Sequence, residues 1–350
     1  MPPEGDVVSV PHQEAVRRRN LGAVLRYVHL RGATSRAELT SELGLNRSTI
    51  GALAAELTAV GLVHEGAPRA SGRAGRPSPV VRTNAAGFSA YALTVEAGRL
   101  RAARIGLGGD ILDSRTVARP SGNDLTATLT GLARELRPTD GSVPLGCAVA
   151  VVGTDRDPAL GETLGEALGL DHPVQVGNLA DLAALAEHTR GAAVGVDDVI
   201  HLHGDDGISA GLIIGGRGFT GHNGIGAQAG HMVVNPDGHP CRCGHRGCWE
   251  AEISAAAGDR ARAALWLGHG LANLVNILNP GAVVFGGTLA GLYRDGHDQV
   301  RGRLHASALP ACRAGLRLSV ALLGDDAPLI GAAELAFERL LSDPLNTAAA

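Results

Sequence analysis

Between Ser35 and Gly61 the chain carries two helix starts and an enforced turn, a combination that a helix-turn-helix satisfies. Ser35-Arg36-Ala37-Glu38 reads as a capping box, in which the serine hydroxyl and the glutamate carboxylate answer reciprocal backbone donors. The short helix it opens carries Leu39 and Leu43, and Gly44-Leu45 makes the tight turn. Asn46 is an N-cap for a third helix, whose residues Ile50, Leu53, Ala54, Leu57 and Val60 trace one apolar face until Gly61 stops it. Upstream, Leu21, Val24, Leu25 and Val28 recur at helical spacing and supply a first helix. Downstream, Val63-His64 and Val80-Val81 are set to pair as strands around the loop from Glu65 to Pro79. The expectation is a winged helix-turn-helix over residues 13–83, preceded by a loose tail, residues 1–12.

The chemistry of that unit fits double-stranded DNA. Such a fold enters the major groove by the amino-terminal end of its third helix, which here displays Arg47, Ser48 and Thr49. Arg47 is the best candidate for a base contact, because a guanidinium donates twice to guanine. Ser48 and Thr49 read a base or hold phosphate. Ser35, Arg36 and Asn46, at the two helix starts, join them as candidate DNA-contacting residues, and Gly51 is expected to let backbone approach the duplex. The wing, Pro68 to Pro77, carries Arg69, Arg73 and Arg76 on a glycine-rich loop suited to a narrow, electronegative minor groove. Charge agrees: the first 90 residues hold 11 arginines against 7 carboxylates, whereas the whole chain has a formal net charge of −4. The rival readings are a solvated linker for the wing and a protein interface for the three helices.

From about Ala90 short β-type runs alternate with Ala/Leu helices, which argues for an α/β body with covered sheets. Strand candidates are Tyr91–Glu96, Cys147–Val152, Val174–Val176, Val199–Leu202, Ala210–Ile214, Ala282–Phe285 and Leu316–Leu322, with helices near 124–136, 178–189 and 259–278. No run of about 18 apolar residues occurs and no charged-then-apolar leader opens the chain. A cytoplasmic protein with no membrane partner is expected. Five cysteines, three of them within eight residues, argue against a disulfide framework and for a metal. His231, Cys241, Cys243 and Cys248 offer an imidazole and three thiols with the spacing H-x9-C-x-C-x4-C, the donor set that structural Zn2+ prefers. His239 and His245 are rival imidazoles on spacing alone, and a redox thiol cluster is the alternative.

Gly224-Ile225-Gly226-Ala227-Gln228-Ala229-Gly230-His231, followed by Cys241-Arg242-Cys243-Gly244-His245-Arg246-Gly247-Cys248-Trp249-Glu250, resembles the zinc signature of the ROK family of repressors and sugar kinases. Gly75-Arg76-Pro77 in the wing, Asn279-Pro280 leading to Gly286-Gly287, and Gly324-Asp325 leading to Gly331-Ala332-Ala333 extend the likeness over roughly residues 13–340, most like the xylose and N-acetylglucosamine repressors. The resemblance implies an α/β fold: an N-terminal winged helix-turn-helix plus a two-lobed, actin-like (ribonuclease H-like) sugar-kinase fold. It implies a small lobe over 84–177 and a large lobe over 178–343 whose last helix packs back on the small lobe, then a disordered tail, 344–350. It also implies a homodimer or homotetramer.

Carried over position by position, the family's sugar contacts fall on Asn178, Gln228, His231 and Glu250, as the site of a sugar-like small-molecule effector. The kinases' catalytic aspartate falls on Leu179, which cannot take a proton. Where the kinases have an Asp-x-Gly-x-Thr phosphate turn this chain reads Val95-Glu96-Ala97-Gly98-Arg99, and the second phosphate loop, Gly204-Asp205-Asp206-Gly207-Ile208-Ser209, carries two carboxylates that would repel a polyphosphate. The loop after the strand near 150 is shortened to Val152-Gly153-Thr154-Asp155-Arg156. These departures argue against an enzyme and against bound ATP. The reading is a repressor of operator DNA; a ligand-independent regulator with a decayed pocket and an ATP-dependent sugar kinase are the alternatives.

Overall fold

The computed structural model describes residues 10–67, 78–120, 125–139, 143–153 and 158–348. Its first unit is α1 (Val10–Arg31), β1 (Thr34–Ser35), α2 (Arg36–Leu43), α3 (Arg47–Ala59), β2 (Val63–Gly66) and β3 (Val80–Thr83). Both halves of the capping box form, with Ser35 Oγ accepting from the Glu38 amide at 3.2 Å and the Ser35 amide donating to Glu38 Oε2 at 3.3 Å. Gly44 ends α2 in the left-handed region, φ +64°. Asn46 Oδ1 caps α3 by accepting from the Thr49 amide at 2.8 Å. The strands form a three-stranded sheet in the order β1-β3-β2, with His64 opposite Arg82 and Glu65 opposite Val81. Helix α1 begins at Val10, so the end of the stretch expected as a tail (1–12) is already helical.

The body holds two five-stranded sheets with one plan. The first takes β4 (Phe88–Val95), β5 (Arg99–Gly106), β6 (Ile111–Ala118), β7 (Val143–Val151) and β8 (Gln175–Asn178) in the order β6-β5-β4-β7-β8. The second takes β9 (Val199–Gly204), β10 (Ile208–Ile214), β11 (Arg217–Phe219), β12 (Ala282–Gly287) and β13 (Arg317–Val320) in the order β11-β10-β9-β12-β13. In each, an antiparallel meander is followed by two parallel strands on the other side of the first. Strands β5 and β6 are absent from the sequence-based expectation. Arginines interrupt the apolar positions of β5, and β6 is an edge strand with no buried face.

Helices α4 (Leu125–Glu135), α5 (Pro158–Leu168), α6 (Leu179–Arg190), α7 (Trp249–Ala255), α8 (Arg260–Leu278), α9 (Thr288–Asp295), α10 (His297–Ser307), α11 (Pro310–Arg313), α12 (Ala327–Ser342) and α13 (Pro344–Ala348) are the other α-helices among the described residues. Helix α12 packs on β4 and β7 of the first sheet, on α6, and on α1 of the winged unit. One apolar cluster therefore runs from Leu21, Leu25, Ile50 and Leu57 through to Phe337, Leu340 and Leu341. A second, around Trp249, Leu267, Leu271 and Phe285, is the core of the large lobe. The carboxyl-terminal stretch, expected as a disordered tail from 344, instead forms α13, because Pro344 is buried and Leu345 and Ala348 rest on the first cluster. Among the described residues no helix is long and apolar enough to cross a membrane.

Candidate functional site

The amino-terminal end of α3 is a free surface. Arg47 and Ser48 are exposed and Thr49 is half-buried, while Ile50, Leu53, Ala54 and Leu57 turn inward. Ser48 Oγ donates to Asn46 Oδ1 at 2.7 Å, so the cap and the residue beside it hold each other in place. Arg36 is otherwise engaged: Nε and Nη2 both donate to the Glu65 carboxylate on β2 at 2.6 Å. A Cβ at Gly51 would make only an ordinary contact, 3.4 Å from Arg36 Nη1. The Arg36 amide donates to Pro79 O at 3.0 Å and the Ala37 amide to Ser78 Oγ at 3.2 Å, which ties α2 to the returning strand of the wing. Arg69, Arg73 and Arg76 lie outside the described residues. Two exposed residues missed in the sequence, His64 and Arg82, stand opposite each other at the base of the wing. Strand alternation around Val63 and Val81 is the signal that would have found them.

The predicted metal donors converge. Ligating atoms of His231, Cys241, Cys243 and Cys248 all lie within 4.8 Å of one another, with Cys241 Sγ 3.6 Å from His231 Nδ1 and Cys243 Sγ 3.6 Å from Cys248 Sγ. Metal–sulfur bonds of about 2.3 Å in a tetrahedron place sulfurs about 3.7 Å apart, so the four fit a metal ion. The two rivals serve the loop instead. The His239 amide donates to buried Glu252 at 2.7 Å, and the His245 ring lies 3.5 Å from Cys243 Sγ. Hydrogen bonds from His245 lower the Cys243 thiol to about 6, whereas burial and the neighbouring thiols push Cys248 up to about 12. A bound cation would hold all three as thiolates. Trp249, fully buried with Nε1 donating to Trp266 O at 2.7 Å, anchors the loop in the large-lobe core.

The carboxyl ends of parallel strands β4, β7 and β9 open onto a cleft between the sheets, where a two-layer α/β body binds ligands. A cavity of about 1020 Å³ there is lined by Val151, Gly153, His203, Gln228, His231 and Glu250, among others. Gln228, His231 and Glu250 thus share one wall. His231 Nδ1 faces Cys241, leaving Nε2 as the ring's remaining polar atom. Glu250 Oε2 accepts from the Ile208 amide at 3.2 Å, and the Cys241 thiol donates to Oε1 at 3.3 Å. Asn178 is not part of that wall, contrary to the sequence expectation. It is buried, its Oδ1 caps α6 at 2.9 Å from the Ala180 amide, and its Nδ2 donates to Gly153 O at 3.1 Å, so both ends of the carboxamide are engaged. Leu179 is buried in the first apolar cluster, and Asp181 does not line the cavity.

The two loops expected to hold phosphate are engaged with the protein's own groups. Asp205 Oδ2 accepts from the Ala97 amide at 2.9 Å, so a carboxylate takes a donor on the first loop. Arg99 bridges Glu96 at 2.5 Å and Asp325 at 3.0 Å, Arg101 pairs with Asp326, and Arg242 pairs with Asp206. The two carboxylates of the second loop are engaged, one with the facing lobe and one with the metal loop.

A winged helix is thus joined to an α/β body of two sheets with the same strand plan, with an imidazole–thiol cluster beside the cleft. The ROK family profile matches residues 156–261 and 255–339. The chain belongs to the ROK family. It is 24% identical to the xylose repressor of Bacillus spizizenii over 95% of this chain and 99% of that protein. It is 30% identical to the glucokinase of Streptomyces coelicolor over 52% of this chain and 72% of that protein. Among solved structures, a ROK family transcriptional regulator, homologue of the E. coli MLC protein, superposes with a TM-score of 0.77 at 23% identity, covering 96% of this chain and all of that one.

Proposed function

We infer that this protein is a ROK-family transcriptional repressor that reads operator DNA through its winged helix. The observation that carries the reading is the exposed start of α3, with Arg47 and Ser48 presented from a capped helix, on a chain that matches a repressor over nearly its whole length. Arg47 reads a base edge in the major groove, Ser48 and Thr49 contact base or phosphate, and Arg69, Arg73 and Arg76 follow the minor groove. Ser35 and Asn46 hold the helix starts, and Arg36 sets the spacing between α2 and the wing through Glu65. Two copies reading half-sites a whole number of DNA turns apart account for a palindromic operator. The test is selection of bound duplexes from a random library, repeated with Arg47→Ala. Loss of the selected motif supports the scheme; an unchanged motif and affinity reject it.

The body works as a cytoplasmic sensor without catalysis. The position that would need a carboxylate to activate a sugar hydroxyl is Leu179, and the phosphate loops are engaged with Asp205, Arg99 and Asp325. Gln228, His231 and Glu250 form the polar wall for a sugar-like effector. His231, Cys241, Cys243 and Cys248 would hold a structural zinc beside that wall; with Cys241 as a thiolate, Glu250 Oε1 would lose its thiol donor and could accept from a ligand hydroxyl. Calorimetric titration with a panel of sugars, repeated with Glu250→Ala, tests the effector wall. Heat that disappears in the variant supports it, and no binding by the parent favours the ligand-independent alternative.

A further inference from the structure

Helix α6 joins the cleft to the DNA-reading unit. Its first turn is capped by Asn178, which also holds Gly153 at the cleft rim. Its twelve residues span about 18 Å, and its last residue, Arg190, enters a largely buried polar joint. There Arg190 Nε donates to Glu334 Oε1 on α12 at 2.7 Å, and Nη1 donates to His29 O on α1 at 3.1 Å and to Gly108 O in the β5–β6 turn at 2.7 Å. The fully buried His29 ring completes it. The Gly108 amide donates to Nδ1 at 2.9 Å, and Nε2 lies 3.0 Å from Glu334 Oε2 and 2.8 Å from Arg190 Nη2.

The glycines of that turn are required. Gly108 has φ +127°, and a Cβ on it would lie 2.9 Å from Thr83 Oγ1 at the end of β3; one on Gly109, at φ +93°, would lie 2.6 Å from Arg190 Cζ. The guanidinium thus meets α1, α12 and the β5–β6 turn, and that turn abuts the wing strand. Elsewhere the winged unit meets α12 and α13 through apolar packing and through exposed pairs, Arg26 with Glu338 and Arg18 with Asp343, which fix orientation weakly. Buried, multidentate, charge-assisted bonds are directional and costly to leave unmade.

We propose that Arg190 is the positioning residue that fixes the angle of the winged helix on the body, and that α6 ties this angle to the state of the cleft. The proposal rests on the DNA-binding reading, because the angle sets the separation of two heads in a dimer and therefore the half-site spacing they accept. A ligand that binds one arrangement of the cleft better than another would act on the operator through this helix.

Full-length parent, Arg190→Gln and Arg190→Lys are compared by hydrogen-exchange mass spectrometry and by binding to library-selected duplexes whose half-site spacing is changed by one or two base pairs. Expected in Arg190→Gln is exchange about tenfold faster at the α1 end and in the 106–109 turn, with the metal loop unchanged. Spacing discrimination should flatten from about tenfold to within about threefold, while affinity for a single half-site is kept; Arg190→Lys should lie between. Unchanged exchange and an unchanged spacing profile in Arg190→Gln would overturn the proposal. A parent that selects no duplex refutes the DNA-binding reading, and the exchange arm then decides the joint by itself. Should Arg190→Gln lose its near-ultraviolet dichroism, Glu334→Gln, which keeps the side chain's size, carries the same two measurements.

Discussion

Arg47 stands exposed at the start of α3 with its guanidinium facing outward from a capped helix. Arg47→Ala should cost about 1–3 kcal/mol at the preferred operator and relax the base preference at one position, read by anisotropy titrations against base-substituted duplexes. Arg73→Ala should instead weaken binding evenly across sequences and make the salt dependence shallower by about one unit of slope. Arg36, whose type and place suggest a phosphate contact, has its Nε and Nη2 edge held by Glu65, 29 residues away. Asn178 is the same case in the cleft. A carboxamide at a helix start makes a good cap before it makes a good ligand contact, and here the cap uses its oxygen.

At the scale of elements, the caps and the thiol loop were legible because their partners lie within a few residues. Ser35→Ala removes one half of a formed capping box and should lower unfolding free energy by about 1 kcal/mol, measured by denaturant titration. The metal loop joins His231 to Cys248 through turns whose spacing already names the donors. Atomic absorption should find one zinc per parent chain and none in Cys248→Ser, with a chelator lowering the parent's melting temperature toward that of the variant. Strands β5 and β6 were not legible. One carries arginines along a half-buried strand and the other buries neither face, so neither shows an apolar period.

Over the whole molecule, α12 is shared by the small-lobe sheet, α6 and the winged unit, so the head is packed into the body's core. The joint at its centre carries a pH signature. Burial raises the Glu334 carboxyl, but the hydrogen bonds from His29 and Arg190 and the charge of Arg190 outweigh it and hold the group below its usual value of 4.5. A carboxyl depressed in the folded state stabilises fully above its unfolded value and loses that contribution as pH falls through the folded one. Stability of the parent should therefore fall below about pH 4.5 more steeply than that of Glu334→Gln, followed by thermal unfolding at a series of pH values. On the non-catalytic reading proposed above, ATP turnover with hexoses should be absent from the parent in a coupled assay, since Asp205, Arg99 and Arg101 are engaged with the protein's own groups.

The order of residues was enough for a winged helix and a loop that gathers one imidazole and three thiols, because each rests on short-range spacing. Tertiary structure decided which polar residues are engaged with the protein itself. It moved Asn178 off the cavity wall, made a packed helix of the stretch from Pro344 to Ala348, and brought His29 to Glu334 across 305 residues and to Arg190 across 161. The physical reason is distance along the chain. A cap or a turn satisfies its own backbone, whereas a buried ion pair is made only when two separately folded layers arrive at the same place.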